Sequence, residues 1–399
     1  MLPRRLESID QALIEQLCGT NCPESQTLEF KRELPPASPD GRAELAKDVC
    51  ALANAGGGDL IYGIAEVKGC ASKPMPISSE AADSAKRRIQ QLLEARIEPR
   101  VIGLSAYEVR FGEAGYVLVL RVPASFLGPH RYKDDDGNWC FVIRAGTRTA
   151  DLSYPELRAA FDRTATLTER ARQFRAERLA AIASGRTSRP LFAGPQCVVH
   201  LIPLMAMDGK THVDVEPLYH AHPAYARFWF EEWGGSFDRA LNLDGLLVYC
   251  ALPDSGTVGH VQVFRSGAFE SLRFAGSMGH ANEKMLWALT LCWHVRESLE
   301  KLIAAARDYG LTGPAAASVA LLGMSGYQFG LWRVGMRQFR PPADRADLVI
   351  PELWIERLEE VTNVDPLARQ LLDLTYQCFN VSRCEAYDQE GNWLPEGRY

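Results

Sequence analysis

The sequence predicts an α/β chain of the α+β kind, arranged as two domains. Three observations predict it. The chain has 399 residues, more than a single hydrophobic core usually serves. A strand–helix–strand unit reads off residues 28–64: alternation over Leu28–Leu34, a helical apolar stripe over Arg42–Asn54, and the nearly all-apolar run Leu60–Ile64. The second half mixes strand runs with long helical stretches.

Composition narrows the class. Apolar residues make up 47% and charged residues 24%, as in ordinary globular proteins. No apolar run reaches the roughly 20 residues that span a bilayer. Met1-Leu2-Pro3-Arg4-Arg5 leads into no apolar leader segment, so a signal peptide is not expected. The 10 cysteines are scattered, and only Cys18 and Cys22 lie close together. That pattern fits reduced thiols in a cytoplasmic protein rather than a zinc site or a disulfide framework. The net charge of -6 argues against indiscriminate nucleic-acid binding but allows a local basic face.

Residues 6–18 read as a short amphipathic helix, with Ser8 and Gln11 as a capping box. In the first strand Leu28 and Phe30 face inward, and Glu29 and Lys31 take the other face. The helix over Arg42–Asn54 carries Leu45, Val49 and Leu52 as its buried stripe, and Gly56-Gly57-Gly58 ends it in a tight turn. A second helix spans 79–97. Strands follow at 101–110, Tyr116–Val122 and Trp139–Ile143, with Asp134–Asn138 as a hairpin loop. Ser153 and Glu156 open another helix. This first domain is residues 1–165.

Residues 166–189 read as a basic linker helix. Arg163, Arg170, Arg172, Arg175, Arg178, Arg186 and Arg189 make it either an arm that touches phosphates or a solvated connector. Residues 190–399 form a second α+β domain. Its strands are expected at Cys197–Leu204, Gly245–Leu252 and His260–Phe264. Helices are expected at Glu283–Tyr309, 352–361 and 365–378. No motif there carries recognisable chemistry.

Five fragments resemble, in order and spacing, the Schlafen AlbA-type domain, which is described as DNA-binding in bacterial proteins. They are Glu24-Ser25, Glu29-Phe30-Lys31, Ala51-Leu52-Ala53-Asn54-Ala55-Gly56-Gly57, Ile61-Tyr62-Gly63-Ile64 and Ile143-Arg144-Ala145-Gly146. The resemblance covers about residues 24–165. In nuclease-active Schlafens, two glutamates at this separation and a third acid after the glycine-led strand hold a divalent metal. The matching residues here are Glu24, Glu29 and Glu66, the last where those members carry aspartate. The resemblance therefore implies Mg²⁺ or Mn²⁺ on Glu24, Glu29 and Glu66, with Lys31 completing the catalytic set.

The residue chemistry is compatible with that picture. Carboxylates converging in one cleft repel unless a cation lies between them, and a divalent ion activates water for phosphodiester hydrolysis. Lys31, Arg144 and Arg148 are expected to hold backbone phosphates. A plainer account stands beside this one. Glu29 and Lys31 would then be a surface ion pair worth under about 1 kcal/mol, and Glu66 would cap a turn.

The leading expectation is thus a nucleic-acid-binding protein that cleaves RNA or DNA as a metal-dependent endonuclease, with bacterial defence as the role the resemblance suggests. One alternative is a non-catalytic DNA-binding regulator whose second domain senses a ligand or partner. Another is a protein–protein scaffold. The family's vertebrate cores enclose substrate with two copies of the fold and this chain shows one, so a homodimer is expected. A strictly monomeric species by light scattering would refute that expectation.

Overall fold

The apolar run that follows the three glycines becomes a central strand, and the rest of the first unit is layered on it. The computed structural model describes residues 6–36, 38–125, 128–230, 237–276, 284–333 and 336–394. The chain divides into two compact units, Met1–Thr166 and Leu167–Tyr399.

In the first unit a 3₁₀ turn at Leu6–Ser8 precedes α1 (Gln11–Gly19), β1 (Leu28–Lys31), α2 (Pro39–Asn54) and β2 (Gly58–Tyr62). The hairpin β3 (Ile64–Val67) and β4 (Cys70–Pro74), α3 (Ala82–Arg96), β5 (Ile97–Glu98), β6 (Ser105–Arg110) and β7 (Tyr116–Val122) follow. Then come β8 (Arg131–Lys133), β9 (Trp139–Cys140), β10 (Val142–Ala145), β11 (Arg148–Asp151) and α4 (Tyr154–Ala183).

Four strands pair in the order β1-β2-β7-β6. β1 and β2 are parallel, with Glu29 opposite Leu60 and Lys31 opposite Tyr62. Parallel neighbours require a crossover, and α2 supplies it. Strand alternation then sends side chains to two separate cores. Leu60, Tyr62, Leu118 and Leu120 pack with Leu45, Val49 and Leu52 of α2 and Ile89 and Leu93 of α3. Leu28, Phe30, Ile61, Val117 and Val119 pack with Ile14 and Cys18 of α1. Glu29 and Lys31 therefore lie on the α2 side. The expected alternation holds, but the face expected to be polar and exposed is covered by a helix.

Several local readings shift. The cap of α1 is Asp10, whose side chain accepts from Leu13 N, and not Ser8. α2 starts earlier than expected, capped by Ser38 with Pro39 in its first turn. The helix opening at Ser153 and the expected linker helix are one 30-residue element, α4.

In the second unit β12 (Gln196–Pro203), α5 (Glu216–His220), α6 (His222–Ala226), β13 (Asp238–Leu241), β14 (Gly245–Leu252), β15 (Gly256–Phe264) and β16 (Phe269–Phe274) are followed by β17 (Met285–Trp287) and α7 (Ala288–Asp308). β18 (Ala315–Leu322), β19 (Gln328–Arg333), β20 (Met336–Arg340), β21 (Leu348–Val349), β22 (Leu353–Ile355) and α8 (Asp365–Gln377) complete it. The main sheet runs β13-β14-β15-β16-β12-β18-β21, with β22 also on β18. α7 starts at Ala288, because Met285–Trp287 pairs as a strand with β19. Glu283, its expected start, lies outside the described residues. The helix expected at 352–361 is β22 followed by a 3₁₀ turn at Leu358–Glu360.

Three of the α4 arginines are not free to serve as a phosphate arm; the side chain of Arg163 lies outside the described residues. Arg172 and Arg175 pair with Glu352 at 2.7 and 3.0 Å, and Arg178 forks onto Glu270. Glu270 is fully buried and also receives His200 and His260 Nε2 at 3.0 and 3.1 Å. Burial alone would raise the Glu270 pKa. The donated hydrogen bonds from His200, His260 and Arg178 outweigh it and hold the carboxyl well below its ordinary range. Among the described residues, no helix is long and apolar enough to cross a membrane.

Candidate nucleic-acid interface and the carboxylate cluster

The three expected metal ligands have three separate occupations. Glu24 accepts the Phe30 N–H at 2.9 Å through Oε1. β1 is an edge strand, so this carboxylate occupies part of its free edge. Glu66 is exposed in the β3–β4 turn, where its carboxylate accepts the Gly69 N–H. It caps a turn, as the plainer account has it. Only Glu29 lies in a charged cluster.

That cluster is assembled by β1, α2 and β10. Lys31 Nζ lies 2.8 Å from Glu29 Oε1, 3.1 Å from Asp48 Oδ2 and 3.2 Å from Glu44 Oε1. The second oxygen of Glu29 meets Arg144 Nη1 at 2.6 Å. Glu44 and Asp48 are one turn apart on α2, so both reach the same ammonium. Arg144 is 4% exposed, and its Nε and Nη2 have no partner among the described residues.

The electrostatics follow from burial and proximity. Burial pushes the Asp48 carboxyl up to about 6, Glu29 adds to the rise, and Lys31 opposes it. Burial would lower Lys31, but Asp48 and Glu29 outweigh it and hold the ammonium above its ordinary value. Beneath the cluster, burial and then Asp48 raise the Tyr62 hydroxyl.

These residues do not fit a bound Mg²⁺ or Mn²⁺. Both oxygens of Glu29 already face cations, Glu24 accepts the Phe30 N–H and Glu66 accepts the Gly69 N–H. Arg144 brings unsatisfied donors, which call for an acceptor and repel a further cation. Among the described residues, no group of three His, Cys, Asp or Glu side chains is placed to hold a metal ion.

The expected phosphate-binding residues separate in the same way. Arg144 is sealed against Glu29, and Lys31 is spent on three carboxylates. Arg148 alone of the three is exposed, on β11 opposite Ala145. The Gly146 turn that joins β10 to β11, with φ of 65°, puts the two arginines in different surroundings.

Sequence reasoning missed Asp48 and the role of Asn54. Asp48 had a signal: it falls three residues after Leu45 and four before Leu52, on the apolar stripe itself. Asn54 Nδ2 donates to the carbonyls of His130 and Val142, both at 2.8 Å, and its Oδ1 accepts His130 N at 2.7 Å. His130, the residue before β8, is fully buried with Nδ1 2.6 Å from Pro99 O. Burial lowers its pKa.

Residues 24–153 match the family model described as Schlafen, AlbA_2. No curated protein matches the chain. Two solved structures are similar over about a third of it. The DIP2311 protein from Corynebacterium diphtheriae is 22% identical over 34% of this chain and 23% of its own length, with a TM-score of 0.25. The N-terminal domain of a RecG-related protein from Nitrosomonas europaea is 21% identical over 35% of this chain and 95% of its own, with a TM-score of 0.26. By the family model alone, residues 24–153 in the first unit of this α+β chain match the Schlafen AlbA_2 domain.

Proposed function

We propose that the first unit is a nucleic-acid-binding module that does not hydrolyse its ligand, which is the DNA-binding alternative rather than the endonuclease. The AlbA_2 match supports the ligand class. The observation that carries the absence of hydrolysis is the saturation of Glu29: Lys31 and Arg144 take both of its oxygens. A carboxylate held this way neither ligates a metal nor accepts a proton from water without losing a buried partner.

Contact with the phosphate backbone falls to exposed cations, Arg148 first. Such contacts position a nucleic acid without reading its sequence and weaken steeply with salt. Fluorescence anisotropy with labelled single- and double-stranded probes tests this. Arg148→Ala is expected to lower affinity several-fold and to reduce the slope of log affinity against log salt by about 1. End-labelled probes are expected to stay intact in Mg²⁺, Mn²⁺ and EDTA alike. Metal-dependent products that vanish in Glu29→Gln would replace this proposal with the endonuclease.

A further inference from the structure

We infer that Lys31 is the resident cation of the carboxylate cluster, and that its tethered ammonium closes this AlbA-type site to divalent metals. The inference deepens the non-hydrolytic reading above, but its test contains no nucleic acid.

Three carboxylates from two elements converge on one nitrogen, at 2.8, 3.1 and 3.2 Å. Those are ammonium-to-oxygen distances. A magnesium ion would need its oxygens at about 2.0–2.1 Å in octahedral array. The carboxylate cage is thus about 1 Å too wide around its centre for that ion, and is sized for –NH₃⁺, which has three donors for three acceptors. Glu29 cannot turn inward to shrink the cage without releasing Arg144. Lys31 is itself fixed in register, opposite Tyr62 and with its carbonyl accepting Gly63 N at 2.8 Å. The cation is therefore supplied covalently, at a local concentration that dissolved metal must overcome. An incoming divalent ion would also meet Arg144.

Removing the ammonium should reverse the preference. Lys31→Ala leaves Glu44, Asp48 and the Oε1 of Glu29 without their cation, Arg144 still holding the other oxygen of Glu29, and a divalent cation relieves that excess of negative charge. Lys31→Arg keeps a tethered positive charge in place.

Thermal melting of the full chain in EDTA, millimolar Mg²⁺ and millimolar Mn²⁺ tests this. The wild type and Lys31→Arg are expected to melt at the same temperature in all three. Lys31→Ala is expected to melt several degrees lower in EDTA and to recover as Mn²⁺ is raised, as for any ligand that binds only the folded state. A wild-type melting temperature that rises with Mn²⁺ and loses that rise in Glu29→Gln would overturn the inference. A folded Lys31→Ala that ignores metal would overturn it equally. If Lys31→Ala does not fold, Mn²⁺ calorimetry on the wild type decides: heat of binding at this site refutes the inference, and its absence upholds it. Failure of the nucleic-acid reading would appear only in the anisotropy titration.

Discussion

Asp48 sets the pH behaviour of the cluster. Its carboxyl is raised from an ordinary 3.8 to about 6, so the folded state takes up a proton more readily than the unfolded chain. For an acid raised in this way, the stabilising contribution is full below the unfolded value. It declines as pH rises from about 4 to 6 and is constant above. The conversion of about 1.4 kcal/mol per tenfold in proton affinity makes the effect up to roughly 3 kcal/mol. Asp48→Asn is expected to flatten the dependence of the first unit's urea midpoint between about pH 4 and 6, and a variant whose slope matches the wild type would contradict this assignment. Much of the cluster was legible at this scale. Glu29 and Lys31 stood out as neighbours, and Asp48 interrupts an apolar stripe. Arg144 could not be placed, because its burial depends on β10 lying against α2, a contact 90 or so residues long in sequence that no local pattern encodes.

Of the three glycines from the end of α2 to the first residue of β2, two are needed, and Gly58 is one of them, because a Cβ there would lie 2.7 Å from Thr27 O. Gly57 alone of the three has positive φ, +72°, and a Cβ there would lie 2.5 Å from Ala124 N. Gly56 faces open space. Gly57→Ala should therefore cost more than about 2 kcal/mol, while Gly56→Ala stays within about 0.5 kcal/mol, as read from urea unfolding of each. Equal effects would mean the turn is held otherwise. Elements with strong local signals were readable: the stripe of α2, the apolar β2, and the start of α4, where Ser153 N donates to Glu156 at 2.9 Å as a capping box requires. The start of α1 is misplaced on sequence: Ser8 reads as its cap, and the structure gives that place to Asp10, two residues on. The β3–β4 hairpin went unread because Val67-Lys68-Gly69 is short and its turn depends on the Glu66 side chain.

Across the molecule, the first unit was more legible than the second because its motif is local: one crossover unit fixes its sheet. The second unit is an antiparallel sheet whose order, β15-β16-β12, joins residues far apart in the chain. Its buried polar centre shows the consequence. Glu270 takes partners from β12, β15 and α4, which on sequence were two isolated polar letters in apolar runs and one arginine of a presumed solvent-facing arm. Glu270→Gln removes the charge that Arg178 requires, and should lower the second unit's stability by about 3–5 kcal/mol, measured as the midpoint of its thermal transition. An unchanged midpoint would show that Arg178 finds another partner. The same centre also guards the strand register. Alternate residues of β16 face opposite layers, with Leu272 towards Leu179 and Ile182 of α4 and Phe269 towards α7. A pairing that slipped by one residue would turn Glu270 into the apolar layer around Val295 and Leu299, away from every one of its donors. Misregistered sheets thus expose an error that hydrophobic packing alone would tolerate, and the assembling chain is steered back to a single pairing.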